Sequence, residues 1–119
     1  MSIYFFLLLL KHSFADLWLQ GRFGSKYGDK KNLTDLKLWV HSLDHAALTA
    51  AITLFFAGFY TAIIVFVLDF VLHSVIDYVK RVYILQNNIT QKQYLYWKIQ
   101  SIDQALHYTC YFVYVLIVF

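Results

Sequence analysis

The sequence predicts an all-α protein, an integral membrane bundle of four transmembrane helices. Three observations carry that expectation. Hydrophobic residues make up 61% of the chain and charged residues 14%, far from the balance of a soluble domain, which could not hide so much apolar surface. Four apolar stretches each have the length to cross a hydrocarbon core of ~30 Å at ~1.5 Å per residue. The basic residues are concentrated in two connections between those stretches, the pattern that fixes orientation in a bilayer.

The first stretch runs from Ile3 to Gln20. It has no positive leader, carries Lys11, His12 and Asp16, and is followed by no small-x-small cleavage site, so it reads as a span and not as a cleaved signal peptide. A polar connection follows with Gly21, Gly24 and Gly28 among Arg22, Lys26, Lys30, Lys31 and Lys37. The second span, 38–57, meets the third, 59–85, at Ala57-Gly58-Phe59 with no charge between them, which predicts a tight antiparallel hairpin. Gln86 to Gln93 forms the second connection, flanked by Lys80 and Arg81 and holding Lys92, before the fourth span, 94–119. No repeat or linker divides the chain, so one domain over residues 1–119 is expected. Placing both basic connections in the cytoplasm leaves the N-terminus, the Gly58 turn and the C-terminus outside, as expected of a multi-pass membrane protein. Trp18, Trp39 and Trp97 fall at span ends beside the basic connections, where an indole prefers the headgroup layer.

Composition excludes several functions. The single cysteine, Cys110, rules out an internal disulfide and multi-thiolate zinc sites, and reads as a buried apolar residue. The net charge of +3 is not gathered on a face or recognition helix, so no nucleic-acid partner is expected.

The chemistry lies in residues that a membrane helix rarely contains. All five histidines, and the aspartates Asp16, Asp44, Asp69, Asp77 and Asp103, fall within the four stretches. Each charged and unpaired group there costs roughly 2.5–3.5 kcal/mol at mid-bilayer. Their spacing supplies partners: His12 and Asp16, His41 and His45, Asp69 and His73, His73 and Asp77, and Asp103 and His107 are each four residues apart, and so share a helix face. Counted from the basic connections, the pairs occupy one layer roughly 5–15 Å below the cytoplasmic surface. Asp44 lies off its neighbours' face and Asp69 a turn deeper, while Lys11 is positioned to snorkel or to pair with an aspartate.

Imidazole and carboxylate without thiolate suit zinc, manganese, iron or cobalt, as one or two ions. The expected ligands are drawn from His12, Asp16, His41, His45, His73, Asp77, Asp103 and His107, with some aspartates orienting imidazoles instead. A proton or ion pathway and a purely structural polar network use the same residues. Against conduction, the far half of the spans offers only Thr49, Thr53, Tyr60, Thr61, Tyr111 and Tyr114.

The order His12-x-x-x-Asp16, His41-x-x-x-His45, His73-x-x-x-Asp77-x-x-Lys80, Asp103-Gln104-x-x-His107 resembles an uncharacterised family of small bacterial and phage membrane proteins, known by a domain-of-unknown-function label. The resemblance covers nearly the whole chain. Leu17 stands where members commonly have Phe. That family is in turn distantly similar to proteins described as membrane-bound metal-dependent hydrolases, which implies a metal site and, more remotely, hydrolysis. In such a scheme the substrate is a phospholipid or polyprenyl phosphate, Asp16, Asp77 or Asp103 completes the metal shell or acts as general base, and Lys80 meets a phosphate. Lys80 serves equally well as a charge that sets topology. A metal-binding scaffold without catalysis is the bland counterpart.

Overall fold

The computed structural model describes residues 1–19 and 36–119. Gln20 and the first basic connection, with Arg22, Lys26, Lys30 and Lys31, lie outside the described residues. α1 covers Ser2–Phe14 and runs into a π-helical turn, Ala15–Leu19; α2 covers Leu36–Ala57, α3 Phe59–Gln86 and α4 Tyr94–Val118. The all-α, four-helix architecture is the one expected. With no proline anywhere, no helix loses an internal hydrogen bond or meets a ring clash.

Two described turns have distinct chemistry. Gly58 alone separates α2 from α3, with φ 83° and ψ −177°, a region open essentially to glycine. Its N–H still donates to Leu54 O at 3.2 Å, and its carbonyl accepts from Ala62 N at 3.1 Å. Gly58 thus closes the last turn of α2 and opens the first turn of α3. α3 ends in a Schellman motif. Asn88 takes φ 52°, Ile89 N–H donates to Ile84 O at 3.0 Å, and Asn88 N–H to Leu85 O at 3.3 Å. Ile84 and Ile89 are both buried, which supplies the apolar contact of that motif.

The helices run up and down. Tyr4, Phe56 and Phe119 meet edge to face, with ring centroids 5.4 to 6.2 Å apart. This gathers the start of α1, the Gly58 turn and the end of α4 at one end of a body 43 Å long. Trp18, the start of α2 and the 87–93 turn lie at the other. Tyr4, Leu8, Val65, Tyr111, Tyr114 and Val115 form an apolar and aromatic core in the Gly58 half.

The other half reverses the usual rule of burial. Lys11, His12, His41, His45, Asp69, His73, Asp77, Asp103 and His107 are each no more than 5% exposed, while Leu17, Trp18, Val79 and Ile102 are more than half exposed. Among the described residues two helices, α2 and α3, are long and apolar enough to cross a membrane, where four were expected. The reason is local. α1 gives way to the π turn after 13 residues, and the first half of α4 carries Lys98, Gln100, Asp103, Gln104 and His107.

Candidate metal centre

Each helix brings its polar pair to one place. A π turn is wider than an α turn and re-aims the side chains within it. The one at Ala15–Leu19 carries Asp16, which reaches three imidazoles: His12 Nε2 at 3.0 Å, His45 Nε2 at 2.9 Å and His41 Nε2 at 3.3 Å. Asp77 of α3 does the same from the opposite side, with His73 Nε2 and His107 Nε2 each at 3.4 Å and His41 Nε2 at 3.5 Å. His41 thus stands between two carboxylates from different helices.

These residues form two sets of metal-type donors. Asp16, His41, His45 and His73 offer ligand atoms all within 4.8 Å of one another, as do His73, Asp77 and His107. Three observations show that the donors fit a divalent cation. Several contacts, at 3.3 to 3.5 Å, are longer than charge-assisted hydrogen bonds, but two ligands each ~2.1 Å from a tetrahedral ion stand about 3.4 Å apart. Among the described residues, Nδ1 of His73, a residue 1% exposed, has no hydrogen-bond partner, and Nε2 has only the 3.4 Å contact to Asp77, a weakly satisfied state for a buried imidazole that a cation would relieve. Its ring is stacked between those of His45 and His107 at centroid distances of 3.8 and 4.2 Å. Three charged rings so close would repel one another, whereas neutral imidazoles keep lone pairs free for a metal.

Lys11 is paired with Asp69 at 3.2 Å and Lys80 with Asp103 at 3.2 Å. Among the described residues Asp16 meets three imidazoles, and Asp77 meets imidazoles and, at 4.0 Å, Lys80.

Two expected ligands stand beside the donor sets. His12 Nδ1 pairs with Tyr111 OH at 2.6 Å and its Nε2 donates to Gln104 Oε1 at 3.0 Å, so both ring nitrogens are engaged while it braces Asp16. Asp103 accepts from Gln104 Nε2 at 3.2 Å and from Lys80, and its Oδ1 lies 3.4 Å from His107 Nε2. Asp44 is half-buried and in neither set. Lys80 lies at the mouth, 4.0 Å from Asp77 and 3.4 Å from Gln100 Oε1. The cavity above the donors has a volume of about 200 Å³, is lined by Asp16, His41, His73, Asp77, Asp103 and His107 at its floor, and reaches Arg81, Ile84, Tyr96 and Gln100 at the end of the bundle away from Gly58.

A second polar centre lies deeper and ties all four helices together. Lys11 Nζ donates to Asp69 Oδ2, to His45 Nδ1 at 3.2 Å and to His45 O at 3.4 Å, and lies 4.5 Å from the Tyr111 ring centre. Asp69 also accepts from Thr49 Oγ1 at 2.6 Å and Tyr114 OH at 3.0 Å. Thr53 donates to Thr49 O, and its hydroxyl pairs with Tyr4 OH at 2.8 Å. Sequence reasoning left Lys11 undecided and gave no role to Gln104, Tyr111, Tyr114 or Thr49. Their signal was present, since 103, 107, 111 and 114 follow one helical stripe.

Residues 4–119 match the family model described as "Protein of unknown function (DUF3307)". No curated protein and no solved structure matches the chain.

Proposed function

The chain belongs to the DUF3307 family, and from its own geometry we propose that it is an integral membrane protein holding one or two divalent metal ions, as a hydrolase of lipid-type esters. The observation that carries the reading is the convergence of Asp16, His41, His45, His73, Asp77 and His107 from four segments into two donor sets sharing His73. Zinc, manganese, iron or cobalt suits such a set. The bilayer is supported by the inverted burial, since exposed Leu17, Phe55, Val79 and Ile102 need an apolar surround. Trp18 and Trp97, both exposed, lie at the same end, as an interfacial belt requires. All four helices span in this reading. The donor layer is nearest the cytoplasmic face of a bacterial inner membrane, with both termini outside.

A divalent ion held there supplies Lewis-acid chemistry, polarising an ester oxygen and making water more acidic. The protein's residues do the rest. In hydrolysis the oxygen of water forms the new bond to phosphorus or acyl carbon, the ester bond to the alcohol breaks, and the proton lost by water ends on the leaving oxygen. Asp103, hydrogen-bonded at the pocket wall and in contact with His107, is the carboxylate placed to carry that proton, while Asp16 and Asp77 hold the imidazoles. Lys80 at the mouth faces a phosphate. Phospholipids and polyprenyl phosphates bring their esters to this level of a membrane.

The test begins with metal. Protein purified in detergent is expected to hold near-stoichiometric transition metal by elemental mass spectrometry, and His41→Ala or Asp77→Ala to lose most of it while remaining folded. Wild-type protein that neither carries nor takes up metal sinks the reading. Turnover is then sought by incubating loaded protein with labelled membrane lipid and analysing products by mass spectrometry; if turnover is absent with every candidate metal, a binding scaffold replaces the hydrolase. The hydrogen bonds from Lys11 to Asp69 and from Thr49 to Asp69 suit a second reading, proton movement, but Thr53 donates to the Thr49 carbonyl, which passes no proton on. Tyr4 is fully buried beneath Phe56 and Phe119, so no flux into liposomes is expected.

A further inference from the structure

An apolar groove runs along the outside of the bundle between α3 and α4, with a volume of about 360 Å³. Its walls are Val75, Ile76, Val79, Ile99, Ile102 and Leu106. Val79 and Ile102 are 59% and 61% exposed, so the groove opens sideways and not toward the end of the bundle. Lys80 and Asp103 line this groove and also line the polar pocket above the donor sets. Lys80 and Asp103, joined by an ion pair from Lys80 Nζ to Asp103 Oδ2 at 3.2 Å, therefore stand where the two cavities meet. Lys80 is part-exposed and Asp103 buried, so opening the pair needs an incoming anion to take the carboxylate's place.

We propose that this groove is the lateral entry for a single-chain lipid phosphate, its chain lying between α3 and α4 and its phosphate received by Lys80 at the threshold of the polar pocket. The groove lies in the size range of ligand sites, and one trough between one pair of helices takes one chain. Its apolar walls suit a hydrocarbon or isoprenoid tail. Lys80 supplies the charge for an anionic head by exchanging Asp103 for phosphate, and Arg81 lines the same pocket. A small phosphomonoester fits the roughly 200 Å³ beyond the threshold, where a bulkier head does not. The inference rests on the metal-centre reading for what lies inside the pocket, but the groove itself needs neither metal nor turnover.

The experiment uses the full chain in lipid nanodiscs and geranylgeranyl monophosphate bearing a diazirine in its tail. After irradiation, peptide mass spectrometry is expected to place adducts on the α3 and α4 residues that line the groove. Val79→Trp and Ile102→Trp fill the groove from exposed positions, and each is expected to cut labelling about tenfold with helical circular dichroism unchanged. Unlabelled geranylgeranyl monophosphate should compete about tenfold better than geranylgeraniol, and Lys80→Gln should erase that preference while labelling by the tail persists. Adducts on α1 or α2, full labelling in both tryptophan variants, equal competition by the alcohol, or better competition by two-chain phosphatidate each overturn the proposal. Metal is measured on the same samples. Groove labelling in metal-free protein keeps the entry and removes the metal centre, while bound metal without groove labelling does the reverse.

Discussion

Lys11 and Asp69 set the chemistry of the deep centre at the scale of single residues. An ammonium with three donors, 5% exposed, is met by a carboxylate, a carbonyl and an imidazole nitrogen. Asp69 in turn accepts from Lys11, Thr49 and Tyr114. Lys11 Nζ stands 3.2 Å from His45 Nδ1, and the other ring nitrogen, Nε2, is turned toward Asp16. Removing one member strands the other in an apolar interior, which costs about 3–5 kcal/mol. Lys11→Met is therefore expected to lower the thermal midpoint in detergent sharply, and Lys11→Met/Asp69→Asn to recover much of the loss. If the double variant is no better than the single, the pair is not the unit described. The gathering of histidines with aspartates was legible at this scale, because four-residue spacing places both on one helix face. The partner of Lys11 was not. Which of several aspartates meets a lone lysine depends on helix rotation, which sequence spacing within one helix does not specify.

Among the elements, the Gly58 turn and the π turn at Asp16 do most to aim the site. Gly58 leaves open space where a Cβ would stand, so any cost of substitution there comes from φ 83° and ψ −177° and not from crowding. Gly58→Ala is expected to destabilise by about 1–3 kcal/mol, read as a lower unfolding midpoint in mixed detergent. Gly58→Asn should fare no better, since asparagine helps in the left-handed helical region and not in this one. An unchanged midpoint for Gly58→Ala would mean that the turn relaxes freely. The helices themselves were visible in the sequence as long apolar stretches without proline, broken by one glycine and by polar connections. The π turn was not visible, because one extra residue per turn is decided by where Asp16 finds His41 and His45 across the bundle, a tertiary matter. The Schellman close of α3 could have been read from Asn88 followed by Ile89.

For the whole molecule the dominant feature is a polar interior within an apolar exterior. Its orientation in a membrane is tested by reporters: one inserted near Lys30 should work in the cytoplasm and one fused after Phe119 should not. The reverse pattern would move the donor layer to the outer leaflet. Metal should also act on the whole bundle, because its donors come from every helix. A ligand at one hundred times its dissociation constant stabilises by about 2.7 kcal/mol, so zinc or manganese should raise the thermal midpoint of wild-type protein and leave His41→Ala/His73→Ala unmoved. A midpoint indifferent to every candidate metal would count against the centre. Composition made the inverted character legible, but not the number of helices able to cross on their own apolarity, since α1 and α4 share their length with the groups that build the site.

The pairing of Lys11 with Asp69 also bears on the order in which the bundle is assembled. Lys11 is synthesised 58 residues before its partner, so α1 must wait with an ammonium, and with His12 and Asp16, that lipid disfavours by roughly 2.5–3.5 kcal/mol per charged group. The α2–α3 hairpin has no such handicap in its Gly58 half, and each of its helices is long and apolar enough to cross a membrane. In the proposed membrane reading, α1 would be a late arrival that commits to the bilayer only when Asp69 is in place. Asp69→Leu should thus leave the hairpin inserted but release α1, so that a tag at the N-terminus becomes mislocalised and protease-sensitive during biogenesis, while the same tag on wild-type protein stays protected at its proper face.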